Sequence, residues 1–249
     1  MWKSFFFLVL GLSVCWIQPA SAQLEPTNLS NAKSNASSVY KRGERSWDGI
    51  GIYYLGREIA QVMGHQGAMW LERPEREQEE KSSILWANLN LSSSDVVADI
   101  GAGTGYHAFA LAKRVPQGKV LAVDIQQEML DMMAERMKEN NISNVELIRG
   151  SIWSPRLPEN SVDLVLFVDV YHELSHPNEM MQNIVKSLTD DGVVVLVEYK
   201  MEDTTVPIKT LHKMTKAQCE KEMEAVGLKL KEYKNNLPWQ HFLVFEKAN

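Results

Sequence analysis

The sequence has little cysteine, no excess of positive charge and no apolar run of bilayer length. Two cysteines among 249 residues cannot build a disulfide scaffold. Lysine and arginine number 26 against 32 aspartates and glutamates, a formal net charge of -6. Proteins that bind nucleic acid through its phosphates usually carry a basic excess, so we expect no nucleic-acid partner. The chain is 45% hydrophobic and 23% charged, which excludes a polytopic membrane protein and a fully disordered chain.

Residues 1–22 have the pattern of a secretory signal peptide. Lys3 precedes an uncharged, mostly apolar run over residues 5–17, and residues 20–22 (Ala-Ser-Ala) form a small-residue cleavage site. The run is shorter than the about 20 residues that span a bilayer, which disfavours a retained membrane helix. We therefore predict cleavage after Ala22 and a secreted or periplasmic mature protein without a stable membrane span.

Two segments separate the signal peptide from the regular part of the chain. Residues 23–46 are rich in asparagine, serine and alanine and have no apolar period, so we predict a disordered tether. Over residues 47–90, apolar side chains recur at helical spacing, for example Ile52, Leu55 and Ile59. This spacing predicts an N-terminal helical cap.

Residues 91–249 alternate between short apolar runs and helical stretches. The runs are Val96–Ile100, Val120–Ile125, Val145–Ile148, Val162–Val170 and Val193–Val197. They are apolar on both faces, as parallel strands covered by helices on two sides are. Helices are predicted at 105–115, 126–140, 178–188 and 215–226. Two last runs, Leu228–Tyr233 and His241–Phe245, predict a hairpin. The pattern predicts a three-layer α/β/α Rossmann-like sandwich whose mostly parallel seven-stranded sheet ends in an antiparallel hairpin.

A glycine-rich turn follows the first of these strands. Asp99 stands two residues before Gly101, and Gly103 and Gly105 complete a G-x-G-x-G pattern. Glycines let the backbone turn tightly and approach a ligand with no Cβ in between. The dinucleotide fingerprint is G-x-G-x-x-G, so the third glycine comes one residue early for a nicotinamide-binding loop.

A second acid, Asp124, ends the next strand. Its carboxylate can accept two hydrogen bonds from a ribose diol. A ribose-binding acid at this position suits a nicotinamide dinucleotide equally well, so Asp124 alone does not identify the ligand.

As a set, the Asp99–Gly105 loop, Asp124 and the strand order resemble the class I S-adenosylmethionine-dependent methyltransferase superfamily over roughly residues 74–249. The likeness includes the turns before the fourth and fifth strands and the terminal hairpin. Three further motifs resemble a group of secreted bacterial methyltransferase-like proteins. They are Trp70–Glu77, Val170–Glu173 and Leu211–Met214.

The resemblance implies S-adenosylmethionine as cofactor and assigns roles to individual residues. The glycine loop would wrap the methionine part, with Asp99 at its ammonium group. Asp124 would hold the ribose, and Ile125 would pack against the adenine. Ser151 stands where many relatives place an acid that contacts the adenine amino group. The cofactor-binding residues expected in this way are Asp99, Gly101, Ala102, Gly103, Gly105, Asp124, Ile125, Ser151, Ile152 and Asp169.

The loop after the fourth strand is where the chemistry is expected. Ligands of open α/β sheets bind beyond the carboxyl ends of the strands. A hydroxyl acceptor usually needs a general base, whereas an amine or carboxylate acceptor needs none. His172, with an ordinary pKa of about 6.5, is the best base, and Tyr171 beside it is a second catalytic candidate. A hydrogen-bonded structural histidine is the alternative for His172.

The sequence also contains candidate metal ligands. His172, Glu173, His176 and His212 could in principle supply ligands. Their spacing matches no established metal motif, so we predict no metal.

Three functions remain open on the sequence. The first is methyl transfer to a small-molecule or cell-envelope acceptor. In that case residues 47–80 would cap the cofactor or form the acceptor pocket, and the alternative is that they only pack an extra helix on the sheet. The second is a secreted S-adenosylmethionine-binding module without catalysis, because supply of this cytoplasmic cofactor outside the cell is unproven. The third, a nicotinamide oxidoreductase, is disfavoured by the early Gly105 and the terminal hairpin. The acceptor and the oligomeric state are not predicted.

Overall fold

Two β-sheets lie in the part of the chain that the computed structural model describes, residues 39–248. The smaller sheet is antiparallel and contains β1 (Tyr40–Arg42), β2 (Gly49–Tyr54) and β3 (Arg57–Ala60). The larger sheet has seven strands. They are β4 (Val96–Ile100), β5 (Lys119–Asp124), β6 (Val145–Arg149), β7 (Val162–Val168), β8 (Leu188–Tyr199), β9 (Leu228–Lys234) and β10 (Gln240–Lys247).

The larger sheet has the order β6-β5-β4-β7-β8-β10-β9. The first five strands in this order are parallel, and β10 runs antiparallel to both β8 and β9. The predicted mostly parallel sheet with a terminal hairpin is therefore confirmed. The order reverses direction at β4 and β7, and ligands of open α/β sheets bind at such a point.

Seven α-helices accompany the sheets in the described residues. They are α1 (Ala68–Leu71), α2 (Arg76–Glu80), α3 (Ser82–Asn88), α4 (Tyr106–Ala112), α5 (Gln127–Glu139), α6 (Pro177–Ser187) and α7 (Lys216–Glu224). One face of the large sheet packs against α3, α4 and α5 in a single apolar cluster. The other face packs against α6 and α7 in a second cluster. Neighbouring residues of β4 point to opposite clusters, Val97 to the first and Ala98 to the second, as alternation along a buried strand requires.

The predicted N-terminal helical cap is wrong over its first part. Residues 49–60 form the β2–β3 hairpin, not a helix. Its turn is Leu55-Gly56, and both residues have positive φ, 48° and 102°. Such φ values favour the tight turns that join paired strands, so local backbone geometry overrides the helical spacing of the apolar side chains. Short helices α1 to α3 do follow within residues 47–90.

The predicted tether is also wrong at its end, because Tyr40–Arg42 pairs with β2. The Tyr40 hydroxyl donates to Glu179 Oε2 on α6 over 2.5 Å, which fixes this strand to the main domain. The predicted signal peptide and residues 23–38 of the predicted tether lie outside the described residues. Within residues 39–248, no helix is long and apolar enough to cross a bilayer.

The small sheet lies against the loop that follows β7. The Arg57 guanidinium makes a bidentate pair with Glu222 on α7, with N–O distances of 2.7 and 2.9 Å, and both side chains are buried. The same guanidinium donates to the backbone carbonyl of His172 over 3.0 Å. The small sheet is therefore placed over the carboxyl end of the large one.

Candidate active site

One cavity of about 720 Å³ opens at the carboxyl ends of the central strands. Its floor includes Ile100 of β4, Asp124 of β5 and Val168 of β7. Residues of the small sheet, of the α1–α2 region and of the loop after β8 complete the walls. The volume lies in the range typical of cofactor and substrate pockets. The cavity therefore occupies the position that the strand order favours.

The glycine loop reaches this cavity through two of its three glycines. Gly101 and Gly103 line it, and their φ values are +70° and +55°. A Cβ on Gly101 would lie 2.4 Å from Val170 Cγ2, and one on Gly103 would lie 2.5 Å from Leu71 Cδ1. Both positions therefore require glycine for conformation and for space.

The other two loop residues expected at the cofactor face the protein. Ala102 belongs to the apolar cluster under α4 and α5. Gly105 begins α4 with φ +87°, and a Cβ there would meet Phe109 and Met133 at 2.8 and 2.9 Å. Neither residue lines the cavity, so each shapes the loop from inside. The structure therefore does not support the predicted direct contact of Ala102 and Gly105 with the cofactor.

Asp124 lies at the centre of the cavity floor. Its Oδ2 accepts from the Gly103 N–H over 3.0 Å, and its Oδ1 accepts from the Gln126 N–H over 2.8 Å. A carboxylate has about four lone-pair positions, so both oxygens can still accept from a ligand diol. Burial raises the pKa of Asp124, and these backbone amides oppose that rise. The carboxylate thus joins the glycine loop to the strand end.

Asp99, which is buried, and Asp169, which is half-buried, differ in their access to the cavity. Asp99 is buried and does not line it, and burial raises the pKa of this carboxyl to about 7. Asp169 does line it, with φ 53°, an uncommon conformation for a residue other than glycine. Gln240 Nε2 donates to Asp169 Oδ2 over 3.1 Å, whereas Oδ1 is buried with no hydrogen-bond partner. An ammonium group in the cavity would therefore find an acceptor at Asp169.

The predicted adenine side forms a partly exposed apolar edge. Ile125, Ser151 and Ile152 all line the cavity. The Ser151 hydroxyl donates to the Ser154 carbonyl over 3.2 Å and accepts from the Ser154 N–H, so it stabilises its own turn. Two isoleucine side chains with a polar turn between them suit a flat heterocycle.

The opposite wall holds a cluster of imidazoles and carboxylates. His172 Nδ1 lies 2.5 Å from Glu198 Oε2, and His172 Nε2 lies 3.0 Å from His212 Nδ1. Glu173 Oε1 lies 3.3 Å from His212 Nδ1, and Asp48 Oδ2 lies 3.1 Å from His212 Nε2. All except Glu198 line the cavity. His172 is 1% exposed, whereas the His212 side chain is 16% exposed, so His212 is the imidazole that the cavity reaches first.

The charge state of this cluster is set by burial. Burial lowers the pKa of His172 to about 3 and raises the pKa of Glu198 to about 8. Burial therefore disfavours both the protonated imidazole and the ionised carboxylate in the core. Whether His172 is the catalytic base stays a prediction, since its Nε2 already faces His212.

The predicted catalytic role of Tyr171 is wrong. Its ring packs edge-on against Phe167 with 5.8 Å between ring centroids and lies under the Arg57 guanidinium. The side chain is fully buried and does not line the cavity, and burial raises the pKa of its hydroxyl. In the turn over Tyr171–Glu173, His172 and Glu173 line the cavity, whereas Tyr171 packs into the core.

Sequence reasoning misses the buried residues that the α1–α2 segment and the loop before β2 bring to the cavity. Arg76 binds Glu80 on one side and the Leu71 carbonyl on the other, over 2.7 and 2.9 Å. It lies in a charged stretch that is typical of a solvated helix. Asp48 gives no signal either, because it stands in the segment predicted as helix. The Trp70–Glu77 motif is the one available pointer to Arg76.

Residues 91–245 match the family model described as a methyltransferase domain, which is more than half of the chain. The chain belongs to this methyltransferase family. The family and the fold imply S-adenosylmethionine as its cofactor.

The curated relatives of this chain are distant. A methyltransferase-like protein of Schizosaccharomyces pombe is 31% identical over 117 residues, 47% of this chain and 43% of that protein. Malonyl-[acyl-carrier protein] O-methyltransferase of Paenibacillus sp. is 25% identical over 121 residues, 48% of this chain and 44% of that protein. Demethylmenaquinone methyltransferase of Lactobacillus johnsonii is 28% identical over 116 residues, which are 46% of this chain and 48% of that protein. The match spans less than half the length of each relative.

A solved structure supports the fold. The SAM-dependent methyltransferase from Aquifex aeolicus aligns with a TM-score of 0.70 and 20% identity, and the alignment covers 74% of this chain and 98% of that one. The first three strands, 40–60, belong to the part that the family model leaves unmatched.

The residues present in this chain fit the cofactor. Gly101 and Gly103 leave space that a Cβ would fill, and Asp124 offers free lone pairs to a ribose. Asp169 Oδ1 is a buried acceptor without a partner, which suits the cofactor's ammonium group. These three features lie on the walls of the same cavity.

Proposed function

We propose that this methyltransferase transfers a methyl group from S-adenosylmethionine to a hydroxyl oxygen of a largely apolar acceptor outside the cytoplasm. One observation carries the proposal: a single cavity has the glycine loop and Asp124 on one wall and the His172–His212 cluster on the other. A cofactor on the first wall leaves space for an acceptor between it and the imidazoles.

The first wall orients the cofactor. When bound, S-adenosylmethionine supplies an electrophilic methyl group on a sulfonium and leaves as a neutral thioether. Asp124 accepts from the ribose hydroxyls, and Asp169 accepts from the ammonium group. Arg76, whose guanidinium keeps unused N–H groups, faces the cavity as a partner for the carboxylate. Holding the methyl group in line with the acceptor can supply much of the rate.

The second wall removes the acceptor's proton. A neutral hydroxyl is a poor nucleophile, so its O–H bond must break as the new O–C bond forms. We assign the uptake of this proton to the side of the cavity where His212, Glu173 and Asp48 meet. His172 and Glu198 lie behind His212 and hold it in place.

The mouth of the cavity supports an apolar acceptor. Trp47 is 79% exposed, and Val62 and Trp70 are each 46% exposed, although all three line the cavity. Exposed apolar side chains grouped at a pocket mark a binding surface for apolar ligands. The signal-peptide pattern of residues 1–22 supports an acceptor in the cell envelope.

The experiment is a transfer assay with S-adenosylmethionine that carries an isotopic label in its methyl group. The purified mature chain is incubated with a lipid extract of cell envelopes and, separately, with the water-soluble fraction. We expect label in the lipid extract, released by conditions that cleave methyl ethers and not by mild ester hydrolysis, and a strongly reduced rate for His212→Ala. Saturable cofactor binding without transfer to either fraction would instead favour a binding module.

A further inference from the structure

Three ligand-type atoms at the acceptor end of the cavity lie at the corners of a small triangle. His172 Nε2 and His212 Nδ1 are 3.0 Å apart, His212 Nδ1 and Glu173 Oε1 are 3.3 Å apart, and His172 Nε2 and Glu173 Oε1 are 3.9 Å apart. An ion bonded at about 2.1 Å to tetrahedral ligands holds neighbouring ligand atoms roughly 3.4 Å apart. The three distances bracket this value.

The outer nitrogen of each imidazole lies close to a carboxylate. His172 Nδ1 is 2.5 Å from Glu198 Oε2, and His212 Nε2 is 3.1 Å from Asp48 Oδ2. The His172–Glu198 contact is a hydrogen bond, whereas His212 Nε2 and Asp48 Oδ2 are close without hydrogen-bond geometry. Each imidazole turns its other nitrogen to the centre of the triangle. Metal-binding histidines typically have this carboxylate–imidazole arrangement, because the carboxylate fixes the tautomer that leaves a lone pair on the inner nitrogen.

The carboxylates are themselves anchored by the backbone. Glu198 Oε1 accepts from the Tyr171 N–H over 2.8 Å, and Glu173 Oε2 accepts from the Met63 N–H over 3.1 Å. Lys209 donates to Asp48 Oδ1 over 2.9 Å. The inner atoms are consequently positioned from behind by elements that are far apart in the chain, as a built site requires.

We propose that His172, Glu173 and His212 bind one divalent transition-metal ion at the acceptor end of the cavity. Two imidazoles and one carboxylate suit zinc, cobalt, iron or manganese better than calcium, which prefers oxygen ligands. This assignment reverses the expectation drawn from sequence spacing. The spacing gives no motif because His212 lies 40 positions away from His172 and reaches it through the fold.

The remaining coordination position faces the cavity, since all three side chains line it. An acceptor hydroxyl in this position would bind the ion through oxygen. Coordination would lower the pKa of such a hydroxyl, so that with the ion bound its proton would pass to solvent and not to His212. The oxygen would keep the electron pair that forms the O–C bond as the methyl–sulfur bond breaks. This chemical role rests on the proposed function, whereas binding of the ion does not.

The test uses the purified mature chain, treated with a chelator and titrated with Co²⁺ and then with Zn²⁺. We expect one Co²⁺ per chain, visible d–d absorption typical of a nitrogen- and oxygen-ligated ion, and loss of that absorption when Zn²⁺ displaces it. His212→Ala and Glu173→Gln should weaken binding by about a hundredfold or more. Glu198→Gln, which alters only the support of His172, should weaken it by about tenfold to a hundredfold.

His176→Ala is the matched control. His176 was weighed as a ligand with the others, but its ring stacks on Trp153 with 3.5 Å between ring centroids, outside the triangle. This variant should bind Co²⁺ as the parent does. A rise in melting temperature on addition of Zn²⁺, present in the parent and in His176→Ala but absent in His212→Ala, provides a second readout in folded protein.

Two results would overturn the metal site. One is a folded parent chain that takes up no Co²⁺ or Zn²⁺. The other is uptake that His212→Ala and Glu173→Gln leave unchanged, since the ion would then be bound elsewhere. Neither measurement involves cofactor or acceptor, so failure here is distinguishable from failure of methyl transfer.

Discussion

Glu198 and His172 form a buried hydrogen-bonded pair in the core of the molecule. Glu198 Oε2 and His172 Nδ1 are 2.5 Å apart, and both side chains are almost completely removed from solvent. Glu198 belongs to β8 and His172 to the turn after β7, so two neighbouring strands of the sheet hold the pair. The pair fixes the imidazole orientation from which the rest of the cluster is built.

Glu198→Gln is therefore expected to impair turnover and leave cofactor binding intact. The amide keeps the shape but no longer sets the tautomer of His172. We expect kcat to fall by about tenfold to a hundredfold, with little change in the dissociation constant for S-adenosylmethionine. Glu202→Gln is the control, because Glu202 pairs with His241 at 2.9 Å in a similar contact outside the cavity. Equal effects of the two substitutions would contradict a positioning role for Glu198.

Asp124→Ala should weaken cofactor binding by about 1–3 kcal/mol, because charge-assisted hydrogen bonds to the ribose are lost. Quenching of tryptophan fluorescence can report this affinity, since Trp70 lines the cavity. Asp131→Ala removes an exposed aspartate from α5 and should bind as the parent does. Unchanged affinity in a folded Asp124→Ala protein would refute the ribose assignment.

Gly101→Ala should abolish detectable cofactor binding, whereas Gly227→Ala should not. Both glycines have positive φ, +70° and +81°, so each alanine should cost about 1–2 kcal/mol of stability. Only the Cβ at Gly101 would collide with a side chain of the cavity wall, Val170, while nothing lies within 4 Å of one at Gly227. Urea unfolding of both variants measures the cost of backbone strain in stability. Cofactor titration of both variants measures the effect of the lost space on binding. Normal binding by Gly101→Ala would show that the loop does not approach the cofactor.

Arg57→Ala should destabilise the fold by about 3–5 kcal/mol, because it leaves Glu222 buried without its partner. Lys119→Ala breaks the exposed pair with Glu146, at 3.2 Å, and should cost at most about 1 kcal/mol. Urea denaturation measures both values. Similar small losses would mean that the small sheet is not anchored through Arg57.

The sequence predicts those features of the fold and the site that depend on residues close together in the chain. The β-branched runs predict the large sheet because buried parallel strands need apolar residues on both faces. The loop from Asp99 to Gly105 is recognisable because backbone conformation requires glycine at fixed spacing. Asp124 follows from its position at a strand end. These features depend on residues close together in the chain.

The features that sequence reasoning misses depend on distant residues or on competing signals. The hairpin at residues 49–60 has apolar side chains at helical spacing, and the Leu55-Gly56 turn decides its structure. His212 joins His172 only because the loop after β8 folds back over β7. The prediction for Tyr171 is wrong because its side chain packs into the core while His172 lines the cavity, and no residue pattern distinguishes the two.

The most direct test of the account is calorimetric titration of the purified mature chain with S-adenosylhomocysteine, the demethylated product of the cofactor. We predict saturable binding of one molecule per chain, displaced by S-adenosylmethionine. A well-folded protein that gives no saturable heat with millimolar ligand would contradict the assignment of the cavity to this cofactor.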